Sequence, residues 1–272
     1  MRGWWREIAG LVLPVACGGC GRPRTVLCPE CAAALTGAGP SRVRPAPEPA
    51  GLPVVHAVAP YAESVRELLL AHKERGALAL AGPLGGALAD AVTAAAGPAT
   101  GLGSSPLLLV PVPSSRSSVR ARGHDPTRRI ALAAAARLRH GGRAARVVPV
   151  LRQRRYVADQ AGLGARGRLA NLSGALEVVP GGARLLEAGR VVLVDDLMTT
   201  GASLAEAARA LGGVHVPFIP GLPRGMAERS PERAPSGHGF EQRRAAVIAS
   251  SPASFEINRN SSGTWIVAGG ER

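Results

Sequence analysis

Lysine is almost missing from this 272-residue chain: among its 33 Lys and Arg residues, Lys73 is the one lysine. A Walker-type phosphate loop closes on Gly-Lys-Ser/Thr and is therefore excluded, and the G-x-G-x-x-G spacing of a Rossmann turn is missing between the apolar run Val191 to Val194 and the helical spacing that resumes at Ser203. Aromatic residues make up 3% of the chain, so the core has to be built from Ala, Val and Leu. Five Phe and Tyr residues also leave few platforms for stacking bases. Acids are sparse, 19 against 33 bases, for a net charge of +14. No stretch reaches the ~18 uninterrupted apolar residues of a membrane span, so none is expected. The apolar stretch Ile8 to Ala16 behind Arg2 and Arg6 looks superficially like a lipoprotein signal ahead of Cys17. Pro14 stands where a large aliphatic residue belongs and Glu7 breaks the basic start, so Trp4 to Leu13 reads instead as a short amphipathic helix in a cytoplasmic protein.

Cysteine is present only as Cys17-Gly-Gly-Cys20 and Cys28-Pro-Glu-Cys31, two C-x-x-C pairs separated by seven residues. Each pair forms a knuckle that presents both thiolates to one side, and two knuckles complete a closed tetrahedral shell for structural zinc. A disulfide reading is weaker, because nothing else marks the chain as secreted. With its leading helix this module is expected to occupy residues 1–36.

Residues 191–204, Val-Val-Leu-Val-Asp-Asp-Leu-Met-Thr-Thr-Gly-Ala-Ser-Leu, concentrate the chemistry. Val191 to Val194 reads as a buried parallel strand, and helical spacing resumes from Ser203 to Leu211 until Gly212. The free N–H groups of that helix start, with Thr199, Thr200, Ser203 and Gly201, suit a phosphate. Asp195 and Asp196 repel an anion but can accept hydrogen bonds from ribose hydroxyls, or hold a bridging magnesium ion. The ligand implied is a ribose phosphate. An ordinary Asp N-cap is the bland alternative, but two acids, three hydroxyls and a glycine exceed what a cap needs.

Elsewhere strand and helix alternate in the manner of a doubly wound, mostly parallel α/β sheet. Residues 37–53 read as a Pro/Ala/Gly-rich linker and 54–220 as the main domain. Val54 to Ala59 is a candidate first strand, and Ala62, Val65, Leu69 and Leu80, Leu84, Leu88 keep helical spacing, interrupted at Gly82-Pro83, and read as two helices. Leu107 to Val110 is a buried strand, Asp125-Pro126 starts a helix that ends at His140, and Val147 to Leu151 is a strand that Pro149 pushes to an edge. From Val112 to Leu172 there are fourteen arginines against two aspartates, so most of the positive excess lies in the middle. Ser114, Ser115, Arg116, Arg120 and Arg122 form a basic loop suited to a pyrophosphate, with a solvated face as the plain alternative. Arg154, Arg155, Gln160, Arg168 and Asn171 lie on a polar, glycine-containing stretch expected to be a mobile arm, either a lid or a nucleic-acid contact.

The 191–204 pattern closely resembles the 5-phosphoribosyl-1-pyrophosphate (PRPP) loop of type I phosphoribosyltransferases. Together with the four cysteines, Tyr61, Arg66 and Lys73, Pro-Val-Pro and Arg-x-Arg-Gly within 111–123, and Gln160, Arg168 and Asn171, it narrows the resemblance to the ComF family over residues 1–212. The resemblance implies that Asp195 and Asp196 contact the ribose hydroxyls and that Met198, Thr199, Thr200, Gly201, Ala202 and Ser203 wrap the 5-phosphate, with magnesium accompanying PRPP. It further implies a role in natural competence, where DNA enters as a single strand, with a competence helicase or another DNA-processing protein as partner. The chain departs from the family at His124-Asp125-Pro126, and at Val214 to Pro220, where two prolines spoil the expected strand. Residues 221–272 are Pro-, Ser-, Gly- and Arg-rich and are expected to be a disordered tail that leaves the sheet short of an edge strand. Three functions follow as alternatives: a phosphoribosyltransferase, a single-stranded DNA-binding module, and a PRPP sensor without turnover.

Overall fold

The structure is a computed structural model that describes residues 15–37, 39–98, 105–155, 165–213 and 243–255, with Arg116, Ala165, Arg166, Arg168 and Leu169 described by their backbone alone. The expected N-terminal helix and Gln160 lie outside the described residues. The protein is an α/β fold around a six-stranded sheet in the order β1-β2-β8-β7-β3-β4. These strands are β1 (Ser41–Val43), β2 (Val54–Pro60), β3 (Leu107–Pro111), β4 (Ala145–Val147), β7 (Arg190–Met198) and β8 (Arg244–Ser250). Only the β1–β2 pairing is antiparallel. A separate antiparallel pair joins β5 (Leu151–Gln153) to β6 (Leu176–Val178).

The helices are α1 (Pro29–Thr36), α2 (Glu63–Lys73), α3 (Ala81–Ala96), α4 (Arg116–Arg122), α5 (Pro126–His140), α6 (Ala165–Leu172), α7 (Gly182–Leu186) and α8 (Ala202–Gly212). One face of the sheet packs on α3 and α5 through Leu84, Leu88, Val92, Ile130 and Ala134, and the other on α8 through Leu204, Ala207 and Leu211. Small residues let the helices come close where aromatics are scarce. A Cβ at Gly85 of α3 would fall 2.4 Å from the Ala133 Cβ of α5, so glycine alone fits that crossing. The segment Leu78–Ala96 is long and apolar enough to cross a membrane by length and composition, yet half of its most apolar window is buried inside this fold.

The largest departure from the sequence reading is β8. It lies inside 221–272, the stretch expected to be a disordered tail, yet it is the central strand, paired in parallel with β2 on one side and β7 on the other. Ala245 to Ala249 are fully buried, because Ala-Ala-Val-Ile-Ala supplies the continuous apolar run that a two-faced parallel strand requires. Prolines around 220 masked this strand by suggesting that the ordered chain had ended.

Smaller corrections have equally local causes. The 37–53 segment is not a bare linker, since it contributes β1 and lays Pro45 and Leu52 against Gly201. Gly82 and Pro83 do not interrupt a helix: they sit in the first turn of α3, where the missing proline N–H costs nothing. Pro149 separates two short strands, β4 and β5, in different sheets. The cysteine segment is not an appended module, because Cys17, Cys28, Cys31 and Leu35 share one core with Val65 and Leu68 of α2 and Leu84 of α3.

Truncation after residue 242 should abolish soluble expression, and Ile248→Asp should do the same by placing an unpaired charge in the core. Soluble yield and circular dichroism check this outcome; a folded truncated protein would contradict the central position of β8.

Candidate functional site

The order of the sheet reverses between β3 and β7. From β3 the chain crosses by α5 to β4 on one side, and from β7 it crosses by α8 to β8 on the other, with the two helices on opposite faces. At such a switch point the loops after the two strands separate and leave a crevice at the carboxyl edge of the sheet. Here those loops are 112–115 and 199–201, so the topology brings the expected basic loop and the hydroxyl-rich turn to one crevice.

Strand β7 runs farther than the apolar residues alone suggest and carries Asp195 and Asp196 within its last turns of pleat. Asp196 follows Val192 and Val194 on the face that α3 and α5 cover, and its carboxylate is only 6% exposed. Lys73, the last residue of α2, donates to it across 2.8 Å from Nζ to Oδ2. Asp195 lies beside Thr127 of α5, whose Oγ1 is 3.5 Å from its Oδ1, and the Asp196 N–H donates to the same oxygen at 2.9 Å. Burial and the neighbouring Asp196 charge push the Asp195 carboxyl well above the usual range, against the pull of Lys73. The Asp196 charge in turn holds the Lys73 ammonium above its ordinary value.

The turn after β7 ends at Gly201, whose φ of +76° is left-handed. The N-cap residue of α8, Gly201, has no side chain to offer; the Ala202 N–H donates to Thr200 Oγ1 at a long 3.5 Å. A side chain at Gly201 would strike Leu52 at 2.9 Å, so glycine is required both for φ and for the close passage of the 44–53 segment. Met198 is buried beneath the turn, while Thr199 is exposed and Thr200 and Ser203 are half-buried. The eight residues expected around a ribose phosphate therefore form one continuous strand end, turn and helix start.

The basic loop is only partly free to meet a ligand. Ser115 caps α4 by accepting from the Ser118 N–H at 3.1 Å, and Ser114 is half-buried beside it. Arg120 is exposed, whereas Arg122 makes a fork of 2.8 and 2.7 Å bonds to Glu74, the residue after Lys73. In the expected arm, Arg155 turns back to donate to the carbonyls of Asn171 and Ser173 at 2.9 Å each, and residues 165–172 form α6. Arg155 is thus used to close the β5–β6 connection, and the Arg154 N–H bonds the Ala175 carbonyl.

The four cysteines form a second constellation. Their sulfur atoms all lie within 4.8 Å of one another, close enough to hold a metal ion such as zinc. Cys17, Cys28 and Cys31 are buried and Cys20 is exposed. Burial raises the Cys17 thiol, but N–H groups of Cys20, Cys28 and Gly19 outweigh it and bring it down to about 6, ready to act as a thiolate ligand. A Cβ at Gly18 would strike Leu80 at 2.7 Å, and one at Gly19 would strike the Cys31 sulfur at 2.7 Å, so both glycines are forced by contact with the helices. Sequence reasoning found this centre but missed its contact with α2.

It also missed the pair formed by His72 and His124. Their rings meet edge to face with centroids 5.8 Å apart, and both Nε2 atoms are buried without a hydrogen-bond partner among the described residues. Nothing in the spacing of two histidines 52 positions apart signals the contact. No protein-family model matches the chain, and no curated protein matches it.

Removing the metal from zinc-loaded protein should loosen α2 and expose the Lys73–Glu74 bond. Cleavage by a lysine-specific protease, which has one site in the chain, should accelerate about tenfold or more in chelator; an unchanged rate would uncouple the cysteines from the helix. A pH dependence is expected from His72, whose burial holds it below the ordinary 6.5, reinforced by His124 and Arg129 and opposed by the Ala77 and Pro126 carbonyls. Below that value the unfolded chain takes up a proton that the folded one resists, so stability falls as pH falls. Urea midpoints measured at about pH 7.5 and about pH 5.5 should differ less in His72→Leu than in the wild type.

Proposed function

We propose that the crevice between β3 and β7 binds PRPP and that the protein is a ComF-like phosphoribosyltransferase-domain protein acting in DNA uptake. One observation carries the reading: Asp195 and Asp196 stand at the carboxyl end of β7, directly ahead of a left-handed turn and a helix start whose N-cap residue is glycine. Carboxylates that accept from a ribose diol and N–H groups that donate to a 5-phosphate need that order along the chain. The phosphate would lie against Thr199 to Ser203 and the ribose over the two acids.

Loop 112–115 and the exposed Arg120 lie on the other side of the switch point, where they would stabilise a departing pyrophosphate. Magnesium would accompany the pyrophosphate oxygens. In the transferase reading, an acceptor attacks the ribose carbon while pyrophosphate leaves; a sensor would use the same contacts without turnover. The single-stranded DNA reading has its own support in Arg128, Arg129 and Arg137, which are exposed along α5.

Calorimetric titration of PRPP with magnesium into wild-type protein should show binding that Asp195→Asn/Asp196→Asn weakens on the order of tenfold or more. Unchanged binding in the double variant would place the ligand elsewhere. Failure of folded, zinc-loaded wild type to bind, with single-strand affinity that falls steeply with salt, would replace this reading by the nucleic-acid one.

A further inference from the structure

Resting on the ribose-phosphate reading, we infer that Lys73 is the resident cation of the diacid, so that the sugar is held at Asp195 and Asp196 without a divalent ion bridging to them. The geometry begins with Asp196. One carboxylate oxygen already meets Nζ at 2.8 Å, and the side chain is 6% exposed. Magnesium demands near-ideal octahedral coordination and gives up its waters reluctantly, so a carboxylate this enclosed and already paired is a poor ligand for it. An ammonium meets the same charge with a single contact.

Lys73 is placed to act on a ligand as well as on Asp196. Its side chain is 32% exposed, whereas its partner is almost covered, so the lysine is the accessible member of the pair. Three N–H bonds are available to it and Asp196 takes one. The residue type matters in a chain that otherwise uses arginine for its basic residues. A guanidinium is broad and planar and would seek both oxygens of Asp196, leaving neither for a sugar hydroxyl. A lysine bonds Oδ2 alone, so the cation does not commit both oxygens of Asp196.

The neighbouring contacts keep Lys73 where it is. Glu74 is held by the two Arg122 bonds, and His72 packs against His124, so the residues on either side of Lys73 are fixed to the segment that joins β3 to α5. The ammonium is thus carried on a backbone clamped at both neighbours rather than on a free helix end.

The test uses ribose 5-phosphate, which lacks the pyrophosphate that would bring magnesium with it. Calorimetry on full-length, zinc-loaded protein compares buffer free of magnesium with buffer containing a millimolar excess. Wild type should bind equally in both, within about threefold. Lys73→Met should weaken binding by about tenfold or more without magnesium and recover part of it when magnesium is added, a dependence that a purely structural role would not create. Lys73→Arg should bind more weakly than wild type and stay independent of magnesium. Because Lys73→Met leaves Asp196 unpaired, Lys73→Met/Asp196→Asn provides a folded control, checked by circular dichroism, and should have lost binding in both buffers. Wild-type binding that requires magnesium, with Lys73→Met indistinguishable from it, would overturn this inference alone. Absence of ribose 5-phosphate binding to wild type in either buffer would overturn the ribose-phosphate reading and this inference with it.

Discussion

A carboxylate buried at the end of a parallel strand needs a compensating charge, and the fold depends on where that charge comes from. Helix α2 supplies it through Lys73 and is fixed to its surroundings along its whole length. Leu68 and Ala71 pack under the cysteine knuckles, His72 meets His124, and Glu74 holds Arg122. The helix is therefore a shared wall between the metal-competent centre and the crevice. Displacing it would strand the Asp196 charge and open the apolar contact beneath Gly18 and Gly19 together. The four-cysteine cluster therefore packs on the same helix that carries Lys73 to Asp196.

The positive charge has a second structural use at the opposite end of the sheet. Arg143, Arg190 and Arg244 donate to the carbonyls of Gly97, Ala96 and Ala95 at 3.0, 2.7 and 2.7 Å. These carbonyls close α3, a helix that has no basic residue of its own in its last turn. Three guanidinium groups gathered on the negative end of a helix dipole answer both its orphan acceptors and its field. Glu206 and Arg209 work in the same way on α8, where the buried carboxylate accepts from the Leu176 N–H at 2.9 Å and Arg209 donates to the Leu176 carbonyl at 2.9 Å, tying the β5–β6 pair to the sheet. Part of the arginine excess is thus internal mortar, and net charge by itself is a weak guide to a polyanionic partner.

What was legible in the sequence was local. The Asp125-Pro126 start of α5, the two cysteine pairs, and the passage from strand to turn to helix at 191–204 are each written within a few residues, and each is present. What was not legible depended on chain return. Strand β8 has an ordinary apolar core sequence, but a long Pro- and Gly-containing stretch precedes it, so local composition argued for an end to order where the topology required the central strand. The same holds for β1, whose three residues make a strand only because β2 offers its edge. Arg122 read as a ligand-facing base because sequence spacing does not reveal Glu74 48 positions away.

The electrostatic state of the crevice narrows what can fill it. Lys73 neutralises Asp196, and burial together with the Asp196 charge pushes the Asp195 carboxyl upward. Because the Lys73 ammonium is paired with Asp196, the two adjacent acids do not present an uncompensated double negative charge. They present acceptor oxygens in a partly enclosed cleft, next to a cation and a helix start that favours an anion. On the reading proposed above, a ligand with vicinal hydroxyls at one end and a phosphate a few bonds away would answer both halves at once, whereas a bare phosphate would meet repulsion from the strand end and a neutral sugar would leave the helix start unanswered.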